Sequence, residues 1–254
     1  MKKKILILCL FILLMTFTFC YTYFCRIITD DELYNFGFAY NITNNLVPYR
    51  DFNMIILPLF PYILSFFITI FGNHLYIYHL LLSFLIVMIT FFSFNKVKFK
   101  TIALLCTILI YPYTGYNIFC LFLFMLLIYI KNKNIKHLEL WEAFIISLMF
   151  LTKQTLGILI IPSILLTKNK KKVFIVYLIT TLILLIYLYK LNIFYSFIDY
   201  CFLGMFDFAS KNYSSNFLII IELIFIILII IKAIKSKKIE KSLNKHIIDL
   251  FKEV

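Results

Sequence analysis

The sequence predicts an all-α fold: a polytopic membrane helical bundle of about eight transmembrane helices, with juxtamembrane helices in the first outer loop. Three observations predict it. Of the 254 residues, 63% are hydrophobic and the mean hydropathy is +0.98, more apolar side chains than a soluble core of that size can bury. The apolar residues fall in nine runs, at 5–24, 55–71, 75–94, 101–112, 116–130, 139–152, 155–167, 173–189 and 217–231. Finally, 20 of the 25 Lys and Arg sit in five clusters at 2–4, 96–100, 131–136, 168–172 and 232–252. That distribution reads as topogenic charge and excludes a nucleic-acid footprint as the meaning of the +13 net charge.

Taken in order, the chain opens with Met1 and three lysines, then stays apolar to Phe24. The run is long and no small-residue cleavage site closes it, so residues 1–24 are expected to remain as the first span. The 55–71 run is treated differently. If all nine runs crossed from a cytoplasmic N-terminus, four of the lysine clusters would land outside, against the positive-inside rule. Removing 55–71 from the crossing set puts all 20 clustered cations in the cytoplasm. Pro58 and Pro61 also suit a helix started by a proline turn and lying on the membrane better than an uninterrupted span. The expected division is therefore a first transmembrane helix at 1–24, an outer loop at 25–73, a bundle at 74–231 and a basic cytoplasmic tail at 232–254. Both termini are cytoplasmic, and the localisation is the cell membrane.

The 101–112 and 116–130 runs are read as a hairpin because Pro112 and the Thr114–Gly115 step favour a turn. The short runs at 101–112, 139–152 and 155–167 are expected to reach only part-way and leave their tips beside an outer cavity.

Residues with chemistry gather on the outer side. Asp30, Asp31 and Glu32 are three consecutive carboxylates that repel one another unless a cation, a metal or a proton holds them together. A second reading, of equal weight on spacing alone, makes them the first turn of a helix through Tyr40 capped by Thr29 or Asp30. Pro48-Tyr49-Arg50-Asp51-Phe52 is either a substrate-positioning or bracing element, or a turn held by an Arg–Asp neighbour pair. Lys153-Gln154 stands between two apolar runs, where an ionisable residue is costly and by default functional; the alternative is a lysine snorkelling to the outer headgroups. Tyr111, Tyr113, Tyr116 and Asn117 form a polar aromatic tip that either lines a sugar site or belongs to an interfacial belt. His74 and His79 lack a third ligand in view, so no metal site is assigned. The cysteines at 9, 20, 25, 106, 120 and 201 show no metal-site spacing and read as small lipid- or core-facing side chains.

The order Asp31-Glu32, Tyr34, a short helix, Pro48-Tyr-Arg-Asp-Phe52 and a proline-led apolar helix ending at Phe71-Gly72 resembles the first outer loop of the GT-C superfamily of membrane glycosyltransferases. These enzymes use polyprenyl-phosphate sugars and include protein mannosyltransferases and aminoarabinose transferases. The resemblance covers roughly residues 1–170 and is specific in the loop. It implies juxtamembrane helices in that loop, Asp31 as general base on an acceptor hydroxyl, and a cation such as Lys153 facing the lipid phosphate. It departs from the family at Ile56-Leu-Pro-Leu59, where many members carry a His or Lys before two prolines, and in the shortness of the chain.

The function expected from that resemblance is transfer of a sugar from a polyprenyl-phosphate donor to an envelope glycan, lipid or protein acceptor. Asp31, Glu32 and Asp51 are the catalytic candidates. Asp30, Tyr49, Arg50, Tyr113, Asn117, Lys153 and Gln154 are the substrate-binding ones. Membrane lipids and the donor are the expected partners, nucleic acid is not, and no cofactor or divalent metal is assigned. The rival readings are a non-catalytic or degenerate subunit of a glycan assembly system and a transporter of lipid-linked sugars. Transport is disfavoured because, beyond Lys153, Glu222 and the Glu139 and Glu142 pair that opens the 139–152 run, the spans hold almost no ionisable residues, and they show no internal repeat. The absence of a Gly-rich phosphate loop disfavours a nucleotide-sugar donor.

Overall fold

A computed structural model of the chain describes residues 2–25, 28–93, 115–131, 137–155 and 170–204. Predicted segments at 101–112 and 217–231, most of 155–167, and the tail at 232–254 lie outside the described residues, as do Arg26, Tyr111, Tyr113, Asp207, Lys211 and Glu222. Among the described residues the fold is all-α, with eight α-helices and one π-helical turn. They are α1 (Lys2–Phe24), α2 (Asp30–Thr43), α3 (Leu59–Phe71), α4 (Leu75–Ser93), α5 (Gly115–Lys131), α6 (Leu138–Thr152), α7 (Lys170–Lys190) and α8 (Phe194–Ile198), followed by the turn Asp199–Leu203.

Leu75–Phe92 and Lys171–Lys190 are long and apolar enough to cross a membrane, each with mean hydropathy 2.2. They are used differently. The first is 61% buried inside the fold and forms its centre, whereas the second is only 22% buried and leaves a wide apolar face uncovered. That face includes Phe174, Ile175, Leu178, Ile179, Leu182, Ile183 and Ile186.

Contacts at both ends of each helix pair fix their directions. Antiparallel packing of α1 on α4 follows from Phe11 against Phe91 at 5.7 Å and Tyr23 against His79 at 5.4 Å. Helices α4 and α5 run parallel: the Gly115 N–H donates to the Tyr78 hydroxyl at 3.0 Å, and Phe92 meets Tyr129 at 5.0 Å. Between α5 and α6 the direction reverses, with Lys131 against Glu142 at 3.5 Å and Lys153 bonded to Asn117 at 2.8 Å. Helices α6 and α7 are again parallel, since Lys172 meets Glu139 at 3.6 Å and the Thr180 hydroxyl donates to that of Ser147 at 2.7 Å. One end of the bundle therefore carries the start of α1, Lys131 and Lys171–Lys172. The other carries α2, α3, Lys153 and the 191–204 segment.

Helix α3 covers that second end. Pro58 caps its N-terminus and Pro61 lies in its first turn, where a missing N–H costs nothing because no carbonyl precedes it. Its buried side, Phe60, Pro61, Leu64, Ser65 and Ile68, recurs at helical spacing. Phe60 packs on Phe119 at 5.9 Å and the Tyr62 and Tyr187 hydroxyls meet at 2.9 Å. Gly72 stops the helix at φ 100°, a conformation side chains other than glycine rarely adopt.

Helix α2 packs on α3, burying Glu32, Asn35 and Ala39 in the fold, and the Thr43 and Ser65 hydroxyls join the two at 3.1 Å. It extends three residues past the predicted end at Tyr40. Thr43 returns its hydroxyl to the Ala39 carbonyl and Asn44 its amide to the Tyr40 carbonyl, which satisfies acceptors that would otherwise end the helix.

Candidate functional site

The three carboxylates occupy the first turn of α2, where the helix dipole favours negative charge. Thr29 is the N-cap by position, but its side chain makes no capping bond. Helical geometry splits the acids: Asp30 and Asp31 face out, while Glu32, 1% exposed, turns inward beside Asn35. Asn35 donates its amide to the Asp31 carbonyl at 2.6 Å, which ties down the backbone that carries the Asp31 side chain.

Lys153 ends α6 in an extended conformation, a cation at the negative end of a helix. Its ammonium donates to Asn117 Oδ1 at 2.8 Å and stands 5.1 Å above the Tyr116 ring. Helix α2 also contacts α5. The first turn of α5 thus meets the Lys153 end of α6, and the helix that begins with the three carboxylates packs against the same α5.

Arg50 and Asp51 pair with each other. Arg50 Nε and Nη2 donate to the two Asp51 oxygens at 2.9 and 3.0 Å, and the Val47 N–H donates to Asp51 Oδ2 at 2.7 Å. Those bonds hold the Asp51 carboxyl below the usual carboxylate range and raise the Arg50 guanidinium. Here the turn reading of this pair describes the geometry, on an exposed surface.

Tyr49 and Gln154 are committed inside. The Tyr49 hydroxyl donates to the Ile56 carbonyl at 2.7 Å and its ring meets Phe197 edge-on at 5.2 Å; burial pushes its phenol well above the ordinary value. Gln154, 2% exposed, gives its amide hydrogens to the carbonyls of Ile55 and Cys201. Cys201 is buried against the same carbonyl row, and burial pushes its thiol up to about 12.

Tyr113, one of the predicted contacts, lies outside the described residues. Tyr116 and Cys201 matter more here than their sequence positions indicated. The aromatic tip had signalled Tyr116, whereas nothing local distinguishes Cys201 from the other cysteines. His79 is buried between the rings of Tyr23 and Tyr78, and His74 stacks on Tyr76 at 5.2 Å. Among the described residues no group of three or more His, Cys, Asp or Glu is placed to hold a metal ion.

Comparison with protein-family models, curated proteins and solved structures finds no match for this chain.

Proposed function

We propose that the chain is a small, polytopic membrane glycosyltransferase of the GT-C kind, taking a sugar from a polyprenyl-phosphate donor on the outer face of the membrane. The observation that carries the reading is the Lys153 ammonium, bonded to Asn117 over the Tyr116 ring at the bundle end that also carries α2 and its three first-turn carboxylates, away from the lysine-rich helix termini. Inverting transfer needs little more. Asp31 accepts the proton of the acceptor hydroxyl as that oxygen bonds to the anomeric carbon. The bond from that carbon to the phosphate oxygen breaks, and polyprenyl phosphate leaves with its charge faced by Lys153.

Helix directions support the multi-pass topology. In the proposed eight-span arrangement, α4 and α5 both run inward and α6 and α7 both run outward, as their parallel packing requires. At 15 residues, α6 is about 22 Å long against a hydrocarbon core of about 30 Å; with Glu139 held at the inner surface beside Lys172, a helix of that length would leave its Lys153 end below the outer surface. Asp31 and Lys153 are assigned to chemistry, Asp30 and Asn117 to contacts around them. Glu32 and Asp51 support the loop, and Arg50 is left exposed toward an acceptor.

Thermal stabilisation of the detergent-purified protein by polyprenyl phosphate tests this without knowledge of the acceptor. At a hundredfold excess over Kd the expected gain is about 2.7 kcal/mol. It should be saturable, lost in Lys153→Ala and kept in Asp31→Asn. No stabilisation of the wild type by any polyprenyl phosphate would transfer the assignment to a non-catalytic subunit.

A further inference from the structure

Gln154 joins three segments that are distant in sequence. Its amide nitrogen donates to the carbonyl of Ile55 at 3.2 Å, in the outer loop, and to that of Cys201 at 2.9 Å, in the π turn. Its own backbone directly follows Lys153 at the end of α6. The same spot is fastened again by Cys201 Sγ, 3.8 and 3.6 Å from the Met54 and Ile56 carbonyls, and by the Tyr49 hydroxyl on Ile56. Residues 53–57 lie in no helix or strand, so no secondary-structure ladder supplies donors to the carbonyls of the buried Met54 and Ile56 or of Ile55 between them. A primary amide carries two hydrogens on one nitrogen, which lets one side chain satisfy two separate backbones.

We propose that Gln154 is a positioning residue: it locks residues 49–56 and the Asp199–Leu203 turn onto the end of α6, and so fixes the height at which Lys153 meets Asn117 and Tyr116. The lock stands on these hydrogen bonds. Its consequence for a phosphate ligand rests on the glycosyltransferase reading.

The test uses the full-length protein with Cys9, Cys20, Cys25, Cys106 and Cys120 changed to alanine, leaving Cys201 as the only thiol. Buried and protonated, Cys201 should react slowly with a maleimide at neutral pH. Gln154→Ala removes the side-chain donor from both carbonyls and Gln154→Glu sets a carboxylate against them; each should speed labelling about tenfold or more. Ser147→Ala removes an interhelical hydrogen bond elsewhere and should leave the rate as it was. An unchanged rate in both Gln154 variants, or an equal rise in Ser147→Ala, would overturn the lock.

A second arm measures Kd for polyprenyl phosphate on the folded fraction of each variant. Weaker binding in Gln154→Ala and unchanged binding in Ser147→Ala supports positioning of Lys153. Faster labelling with unaltered binding overturns that part. Faster labelling where the wild type binds no polyprenyl phosphate keeps the lock and rejects the glycosyltransferase reading.

Discussion

Asp51 gives both carboxylate oxygens to its own turn, to the Val47 N–H and to the Arg50 guanidinium. Its folded carboxyl is thereby held below the ordinary value of about 3.9. A group whose folded pKa is depressed adds stability above its unfolded pKa and loses it as pH falls through the folded one. Replacing it by asparagine should therefore lower Tm at pH 7 by only about a degree or two, because the pair is exposed. The difference from wild type should close below about pH 4. A pH-independent gap in a thermal melt series would show that the charge is irrelevant and that shape alone holds the turn. Asp31, with the same chemistry one loop away, makes no such closure among the described residues; it faces out in the first turn of α2. Sequence spacing left cap and active site open for one acid group, and turn and substrate contact open for the other. The fold puts the first group in the opening turn of α2 and closes Asp51 within its own turn, geometries that either reading of each group accommodates.

Gly115 shows what the element scale adds. The sequence points to it as part of a turn, yet in the fold it is the first residue of α5 and a place where α3, α4 and α5 meet. A Cβ there would sit 2.5 Å from the Phe60 ring and 3.0 Å from that of Tyr78. Ring atoms of a fully buried phenylalanine have no room to withdraw, so Gly115→Ala should destabilise by about 1–3 kcal/mol. Adding Phe60→Leu should recover part of the loss, a non-additivity that thermal melts of the four-member cycle would measure. A Gly115→Ala protein as stable as wild type would mean that α3 does not press on α5 in this way. The helices themselves were legible because apolar runs ended by charges give their limits to within a few residues, as for 116–130 against Gly115–Lys131. What joins them was not. The Gln154 bonds to Ile55 and Cys201 span 99 and 47 residues, and contacts that long leave no periodic trace in sequence.

Over the whole molecule, the charge count and the packing bear on one part of the proposal, the side of the membrane assigned to each end of the bundle. The packing gathers Lys131, Lys172, Glu139 and Glu142 at one end, and the loop helices with Lys153 at the other, without reference to a membrane. In the proposed topology the positive-inside rule makes the first end cytoplasmic. Single cysteines placed in a cysteine-free background at Asn45 and Tyr195, both exposed at the loop end, should react with a membrane-impermeant thiol reagent on intact cells. Cysteines at His137 and Lys171, exposed at the lysine end, should react only after the membrane is opened. The two pairs are independent of which sugar or acceptor is involved. Labelling of all four from outside would reject the membrane bundle, and the reverse pattern would place Asp31 and Lys153 in the cytoplasm. A split within either pair would break the shared end that the helix directions define, and with it the eight-span path of the chain.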